Sequence, residues 1–285
     1  MCAAITIYAP AKINLALHVT GRRDDGYHTL SSLFAFTPEI TDTITLTSSD
    51  GLFFEAGGAF ADSVNPNENS LLEAARWMAA RTGRDLNIHM RLDKALPVAA
   101  GIGGGSADAA AVIRGLLTHW EMEDRLEDLI APSFALGADV PACLVSRALR
   151  IDDAGKRPRV ISPLPPIYAV LVNPRLACST AAVFSALEPP FGAGITTGDL
   201  PRDFEALCLA LELMRNDLGV AATSCVPHIT KVQDALFAQR ARVVRLSGSG
   251  ATCFGLFETQ EAAQSAQNAV QSAYPEWWVR SSVLR

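Results

Sequence analysis

The sequence predicts a globular protein that combines strands with helices, in two domains or in one large domain. Its 285 residues are about twice the length of a typical domain. Period-two stretches such as DTITLTS (residues 42–48) favour strands, whereas NENSLLEAARWMAARTG (residues 67–83) has the spacing of an amphipathic helix. A segment rich in proline and charge, residues 150–166, is the candidate domain boundary.

The apolar patterns place the other elements in order along the chain. The predicted elements are a strand from Ile5 to Val19 interrupted around Pro10, a turn from Gly21 to His28, a helix that begins after Asn69 or Ser70 and ends at Gly83, a strand from Leu86 to Leu92, a helix after the glycines of residues 101–105, a helical stretch with a turn from Gly137 to Pro141, a strand at 168–174, a short helix at 179–187, and a strand, glycine turn and strand at 241–257.

Composition limits the class of partner. Hydrophobic residues make up 49% of the chain and charged residues 19%, which is enough apolar material for a buried core. The net charge is −6 and no block of like charges occurs, so nucleic acid or an anionic membrane is not expected as the main partner. We expect a monomer or a weak homodimer that binds small molecules.

Cysteine usage predicts a reducing, cytoplasmic environment. The six cysteines lie far apart without a CxxC pair or zinc-ligand spacing, so we expect scattered buried thiols. The first residues, MCAAITIYAPAKINLALHV, have no basic leading segment, and no apolar run reaches about 18 residues. Neither a signal peptide nor a membrane span is predicted.

The stretch LPVAAGIGGGSADAAAVIRGLL (residues 96–117) places glycines at the start of a helix. The first N–H groups of a helix lack intrahelical partners and lie at the positive end of its dipole, so they form an anion site. Glycine at positions 101, 103, 104 and 105 would let a phosphate approach these groups, and Ser106 adds a hydroxyl. Alternatively, the glycines only end the preceding strand and Ser106 caps the helix.

Two other phosphate motifs fit less well. A Walker loop requires a lysine after its last glycine, and none follows here. A dinucleotide fingerprint would need glycine or alanine where Ser106 stands, at the first strand of a parallel unit.

Three segments, taken together, resemble the GHMP kinase family. They are PAKINLALHVTGRRDDGYH (residues 10–28), PVAAGIGGGSADAA (residues 97–110) and LSGSGATCFGLF (residues 246–257), and they occur in the family's order. The resemblance implies a two-domain α+β fold: a domain like the second domain of ribosomal protein S5 over residues 1–158, which carries the phosphate loop, and a ferredoxin-like domain over residues 159–285. The active site would lie in the cleft between them.

Within the family, GIGGGS, the first segment and LGADVP (residues 136–141) resemble the members that phosphorylate the 2-hydroxyl of 4-diphosphocytidyl-2-C-methyl-D-erythritol with ATP, in non-mevalonate isoprenoid biosynthesis. The alternatives are another small-molecule kinase of the homoserine or mevalonate type, a nucleotide-binding module without catalysis, and a dinucleotide oxidoreductase.

The resemblance assigns Lys12 and Asp139 to catalysis. Phosphoryl transfer to an alcohol needs a group that accepts the hydroxyl proton and a positive charge near the phosphate, which an Asp beside a Lys supplies. Alternatively, Asp139 caps the helix that Pro141 begins, and Lys12 lies on the surface of an edge strand. Asn14 follows on the same strand face as Lys12 and could hydrogen-bond the acceptor hydroxyl.

The resemblance also implies a cytosine pocket. Tyr27 and Phe184 would stack on the two faces of the base, His28 would bind its edge, and Thr180 would contact the substrate. Stacking on a base contributes about 1 to 3 kcal/mol, so two rings could select a cytidyl group. Phe184 could equally be a core residue, and His28 a structural one.

ATP and Mg²⁺ are the implied cofactors. By the resemblance, the phosphate loop begins at Pro97, Asn69 and Lys94 lie near the adenine and ribose, and Gly248 and Gly250 let the backbone approach the cleft. Asn69 could instead be a helix cap and Lys94 a surface residue. The family usually has a second serine where Ala107 stands, so Ser106 is the only loop hydroxyl for phosphate or metal. Asp108 would hold the cation or complement the helix dipole, and we prefer the second role.

Overall fold

The computed structural model describes residues 4–24, 26–153, 158–161, 163–196 and 200–285. Two sheets and the helices packed on them make an α+β fold, as predicted. The strands are β1 Ile5–Arg22, β2 His28–Ser48, β3 Leu52–Gly57, β4 Ile88–Asp93, β5 Leu149–Asp153, β6 Arg159–Val160, β7 Tyr168–Asn173, β8 Val243–Leu246, β9 Cys253–Phe257 and β10 Trp278–Val283. The helices are α1 Ser70–Thr82, α2 Gly104–His119, α3 Leu126–Ile130, α4 Val140–Val145, α5 Thr180–Ser185, α6 Phe204–Glu212, α7 Gly219–Cys225, α8 His228–Ala238 and α9 Gln260–Ala273.

The first sheet has the order β3-β4-β2-β5-β6, and β1 pairs with β2 in antiparallel register. The predicted interruption of β1 is wrong, because the strand continues through Pro10 to Arg22. Pro10 has no N–H to donate, and the ladder accommodates it with a register shift between Pro10 and Lys12. The predicted turn of residues 21–28 therefore begins later, after Arg22.

Strand β2 is longer than the predicted strand of residues 42–48. Its first half lacks a period-two pattern because residues 31–37 are all buried, so apolar side chains are not restricted to one face. Helix α1 agrees with prediction: Asn69 caps it, its Oδ1 accepting from the N–H groups of Leu71 and Leu72, and Gly83 ends it in the left-handed conformation.

The second sheet is antiparallel, with the order β10-β7-β9-β8. One apolar cluster joins it to the first sheet, since Ile13 and Leu15 of β1 share it with Leu171 of β7 and Phe254 of β9. Strand β1 thus lies where the two sheets meet. The first sheet also includes β6, which lies beyond residue 158, and the domain division at that residue stays a prediction.

The thiols only partly follow expectation. Cys143, Cys178, Cys208 and Cys253 are buried and free, but Cys225 is exposed at the end of α7, so the prediction of buried thiols is wrong there. Cys2 lies outside the described residues. Within the described ranges, no helix is both long and apolar enough to cross a membrane.

Candidate active site

The phosphate loop, Gly101 to Ser106, leads into α2. Gly103 is the N-cap residue, with φ +67°, and no side chain caps the helix. Ser106 lies inside the first turn rather than at the cap, so the capping alternative for Ser106 is wrong. Among the described residues, no hydrogen bond occupies the N–H groups of Gly104, Gly105 and Ser106, which remain available to an anion.

A second glycine segment, the glycine turn Ser247 to Gly250, lies directly against the phosphate loop. The Ser247 hydroxyl donates to Gly101 O at 3.0 Å. A Cβ on Gly101 would lie 2.3 Å from Ser247 O and 2.7 Å from Gly250 N, so only glycine fits there. Gly248 has φ +55° and also faces Gly101 O. Two motifs that lie 146 positions apart in the sequence therefore form one wall.

Lys12 and Asp139 form an ion pair beside this wall, with 3.0 Å between Lys12 Nζ and Asp139 Oδ2. Lys12 Nζ also donates to Asn14 Oδ1 at 2.7 Å, and Asn14 Nδ2 donates to the Ser32 hydroxyl at 2.9 Å. Lys12 is buried, so the surface alternative for it is wrong. A Cβ on Gly103 would lie 3.0 Å from Lys12 Cε, which places the pair at the N-terminus of α2.

Asp139 occupies the N-cap position of α4, but its side chain makes no capping hydrogen bond. Its carboxylate is turned to Lys12 instead and remains one-third exposed. An acceptor in the cleft can reach this carboxylate, whereas Lys12 keeps it next to a positive charge. The capping alternative for Asp139 therefore does not describe its side chain.

Lys94 is not a surface residue, because it is buried between two carboxylates. Its Nζ lies 2.6 Å from Asp42 Oδ2 and 2.6 Å from Asp108 Oδ2. Burial alone would lower the pKa of Lys94, but the charges of Asp108 and Asp42 outweigh it and raise the pKa. Burial raises the pKa of Asp108 to about 7, against the opposing effect of Lys94.

Sequence reasoning missed Asp42 and assigned Asp108 to the helix dipole. Asp42 Oδ1 accepts from the N–H groups of Ala95 and Leu96 at 2.7 and 2.8 Å, which fixes the chain between β4 and the phosphate loop. Asp108 is primarily the partner of Lys94, and its Oδ1 has no hydrogen-bond partner among the described residues. Lys94 Nζ lies 3.4 Å from the position that a Cβ on Gly104 would occupy, so its charge is close to the start of α2.

A cavity of about 270 Å³ opens beside this triad, between α1 and the phosphate loop. Its wall contains five residues predicted for ATP: Asn69, Lys94, Pro97, Gly104 and Gly105. Asn69 therefore both caps α1 and lines this cavity. Gly101 and Gly103 belong to the adjoining loop and Gly248 and Gly250 to the glycine turn, outside the cavity wall.

The residues predicted to bind the base of the acceptor form a second group at the far end of the β1–β2 pair. His28 begins β2, and its ring lies 5.3 Å from Phe184 of α5 and 5.5 Å, edge-on, from Phe191. Burial, then the charge of Arg22, lowers the pKa of His28, so its ring is held neutral. Tyr27 is 75% exposed. No sequence pattern marks Phe191, because it lies in an irregular segment between α5 and α6.

Thr180, at the first turn of α5, lies between the two groups. Its hydroxyl is 2.9 Å from the hydroxyl of Ser249 in the glycine turn. Asn14 pairs with Phe34 in β2, six residues from His28, which is roughly 20 Å along a strand. Roughly 20 Å of strand therefore lies between the group of Lys12, Asn14 and Asp139 and the group of His28 and Phe184. An extended ligand could contact both groups.

The residues present suit a magnesium ion that is held mainly by phosphate oxygens. Such an ion needs only one or two protein oxygens, because it keeps several waters. The Ser106 hydroxyl has no protein partner among the described residues and lies near Gly137, two residues before Asp139. Across the described ranges, no group of three or more His, Cys, Asp or Glu side chains could hold a metal ion alone.

Comparison with known proteins agrees with this arrangement. The model of the GHMP kinase N-terminal domain matches residues 69–147, and that of the GHMP kinase C-terminal domain matches residues 199–276. The chain belongs to the GHMP kinase family. A 4-diphosphocytidyl-2-C-methyl-D-erythritol kinase from Paramagnetospirillum magneticum is 42% identical over 99% of both chains. Another, from Ruegeria pomeroyi, is 45% identical over 96% of this chain and 97% of its own.

Solved GHMP kinases share the whole fold. A crystal structure of 4-(cytidine 5'-diphospho)-2C-methyl-D-erythritol kinase superimposes with a TM-score of 0.79 at 34% identity, covering 98% of this chain and 99% of that one. Homoserine kinase from Cytophaga hutchinsonii gives 0.75 at 19% identity, over 99% of this chain and 95% of its own. The second likeness concerns the fold alone.

Proposed function

We propose that this protein is an ATP-dependent kinase that phosphorylates the 2-hydroxyl of 4-diphosphocytidyl-2-C-methyl-D-erythritol. The observation that carries the chemistry is the Lys12–Asp139 ion pair of 3.0 Å at the start of α2. It places a carboxylate and an ammonium group next to a helix N-terminus that can hold phosphate. The substrate rests on the full-length relatives that carry this activity in their names.

Asp139 acts on the acceptor. Its partly exposed carboxylate accepts the proton of the hydroxyl while the oxygen attacks the γ-phosphorus and the bond to the ADP oxygen breaks. Lys12 places a positive charge beside the Asp139 carboxylate and attracts the oxygens of the transferred group. Asn14 Oδ1 accepts a hydrogen bond from Lys12 Nζ, and Asn14 Nδ2 donates to the Ser32 hydroxyl. These two bonds orient the ammonium group before any ligand binds.

The phosphate loop and the cavity beside it bind ATP. The free N–H groups of α2 hold phosphate, and Asn69, Lys94 and Pro97 line the space for the nucleoside. Ser106 would hold Mg²⁺, which when bound neutralises charge on the phosphate oxygens. ATP and Mg²⁺ as cofactors follow from this assignment.

The ring cluster of His28, Phe184 and Phe191, at the start of β2, selects the acceptor. His28 presents a neutral imidazole between Phe184 and Phe191, and Tyr27 is exposed beside it. We assign His28 to the edge of the cytosine and Tyr27 with Phe184 to its faces. Thr180 lies between this cluster and the reacting groups, where the diphosphate would pass.

The test is ADP release from Mg·ATP with purified protein and one of four additions: the cytidyl substrate, homoserine, mevalonate or no acceptor. Release with the cytidyl substrate alone is the expected result. Release with homoserine or mevalonate would reject the cytosine pocket and keep the phosphate site. Absence of release with every acceptor, with ATP still bound, would favour a nucleotide-binding module. The cytoplasmic location and the monomeric or weakly dimeric state stay predictions.

A further inference from the structure

The segment Arg215 to Asp217 belongs to neither of the two predicted ligand groups. It nevertheless contacts the chain at Ala193, next to the ring cluster, and the glycine turn, next to the phosphate loop. It follows α6 and runs beside the second half of β1. Leu17 N donates to Arg215 O at 2.9 Å, and Asp217 N donates to Leu17 O at 2.9 Å. These two bonds attach the segment to the strand that carries Lys12 and Asn14.

Arg215 reaches toward the ring cluster. Its Nη2 donates to Ala193 O at 3.0 Å, and His18 Nδ1 contacts the same oxygen at 3.2 Å. His18 Nε2 accepts from Arg215 N at 3.2 Å, which makes Nδ1 the protonated nitrogen of a neutral ring. Ala193 is two residues from Phe191, whose ring meets His28 edge-on. Arg215 and His18 therefore hold the segment that places Phe191.

The guanidinium group of Arg215 also contacts Asp217 and lies close to Gly192. Asp217 Oδ1 accepts from Arg215 Nε at 2.5 Å, and Asp217 Oδ2 accepts from Val19 N at 2.7 Å. A Cβ on Gly192 would lie 2.2 Å from Arg215 Nη2, so a larger residue there would displace the guanidinium. Asp217, Ala193 O and Gly192 thus contact one side of the Arg215 side chain, which is otherwise 44% exposed.

Asn216 reaches in the opposite direction, to the glycine turn. Its Nδ2 donates to Leu246 O at 2.8 Å and to Gly248 O at 2.9 Å. The same turn contacts the phosphate loop through the Ser247 hydroxyl and Gly101 O. Ser247 also accepts from Asn14 N at 3.1 Å. Asn216 thus fixes the wall against which the phosphate loop and the catalytic strand are aligned.

We propose that Arg215 to Asp217 is a positioning segment with two separable effects on the reaction. Arg215 sets the wall of the acceptor's base pocket through Ala193 and Phe191, and Asn216 sets the glycine turn against the phosphate loop. Neither residue touches a reacting group. The assignment of the two ends to acceptor and ATP rests on the proposed function, whereas the placement of Phe191 and the turn does not.

Steady-state kinetics of the full chain test the proposal. Arg215→Ala should raise KM for the cytidyl acceptor about 10-fold and leave KM for ATP within about twofold. Asn216→Ala should do the reverse, raising KM for ATP about 10-fold and lowering kcat. Arg215→Lys keeps one donor for Ala193 O and should recover part of the loss. Arg202→Ala removes an exposed arginine just before α6, in the same part of the chain, and is the control.

A second measurement does not depend on the substrate. The imidazole signals of His28 in the ¹⁵N-labelled chain, assigned with His28→Gln, report the ring currents of Phe184 and Phe191. Arg215→Ala should shift them, and Asn216→Ala and Arg202→Ala should not. Kinetic constants within twofold of Arg202→Ala, with only a lower melting temperature, would overturn the proposal. If wild-type protein does not use the cytidyl acceptor, the proposed function fails, and the His28 shift alone decides for or against the positioning role of Arg215.

Discussion

Lys12 Nζ lies 3.0 Å from Asp139 Oδ2, although the two residues are 127 positions apart in the sequence. Lys12 comes from the register shift in β1, and Asp139 from the position that would normally cap α4. Each residue departs from the ordinary role of its local structure. The Asp139 side chain makes no capping hydrogen bond, and β1 buries the charge of Lys12. The ion pair between the two side chains offsets these two free-energy costs.

Asp139→Asn tests the proton acceptor. The amide keeps the shape of the side chain and still accepts from Lys12, but it cannot take up the hydroxyl proton. We expect kcat to fall by about 10² to 10⁴, and the dissociation constant of ATP, measured by calorimetry, to stay within about threefold.

The matched control is Asp203→Asn, at the N-cap of α6. There the carboxylate does cap its helix, accepting from Ala206 N at 2.9 Å, and asparagine caps equally well. Asp203→Asn should leave kcat and stability unchanged. A parallel loss of ATP binding and kcat in Asp139→Asn would contradict its role as the base.

Gly103→Ala tests how closely the phosphate loop is fitted to Lys12. The new Cβ would lie 3.0 Å from Lys12 Cε and 3.3 Å from Lys12 Cβ, at a residue with φ +67°. The methyl group must displace either the loop or the ammonium group, so we expect kcat to fall more than about 10-fold. Steady-state kinetics and the midpoint of urea unfolding measure the two consequences.

Gly83→Ala separates backbone strain from contact. Gly83 has φ +68° and nothing within 4 Å of an added Cβ. Both substitutions should lose about 1 kcal/mol of stability from the left-handed backbone, but Gly83→Ala should keep full activity. Equal kcat in the two variants would show that the contact with Lys12 is not needed.

The sequence predicts those parts of the fold that depend on local chemistry. Helix α1 was predictable because Asn69 and Gly83 mark its ends by their own conformational preferences. The strand segments at 42–48 and 243–257 were predictable because they alternate or flank a glycine turn. Strand β2 before residue 42 was not, since it is buried on both faces and has no period.

The candidate site shows the same division. Glycines 101, 103, 104 and 105 indicate a phosphate loop, because a backbone that a phosphate approaches closely requires glycine whatever the rest of the fold is. Asp42 could not be found in this way, because its importance comes only from Lys94, 52 positions away. Lys94 was predicted near the adenine and ribose with a surface position as the alternative, since nothing near it in the sequence shows that two carboxylates accompany it into the interior.

The base pocket is tested with Phe184→Leu and Tyr27→Ala. If both rings flank cytosine, each change should raise KM for the cytidyl acceptor by about 5- to 100-fold, corresponding to about 1 to 3 kcal/mol of stacking, and leave KM for ATP unchanged. Phe53→Leu removes an exposed ring on β3 and serves as the control. An effect of Phe184→Leu on stability alone would assign that ring to the core, and an unchanged KM in Tyr27→Ala would remove Tyr27 from the pocket.

We expect His18 to make the fold sensitive to mild acid. Burial, followed by the charge of Arg215, lowers the pKa of His18 below 6.5, although Asp217 and the Ala193 carbonyl act in the opposite direction and Arg245 adds a further positive charge. Because folding favours the neutral ring, its stabilisation is fully present above pH 6.5 and is lost as the pH falls through the lower, folded-state pKa. The protonated ring can no longer accept from Arg215 N, so the Ala193 segment should loosen at the same time.

We therefore expect the free energy of unfolding in urea to drop more between about pH 7.5 and about pH 5 in wild type than in His18→Asn. Asparagine can keep a donor near Ala193 O but has no proton to gain in this range. His228→Asn, at an exposed position in the first turn of α8, should follow wild type. Identical pH dependence in wild type and His18→Asn would mean that acid weakens the fold through carboxylates elsewhere. The positioning of Ala193 would then depend on Arg215 and not on the protonation of His18.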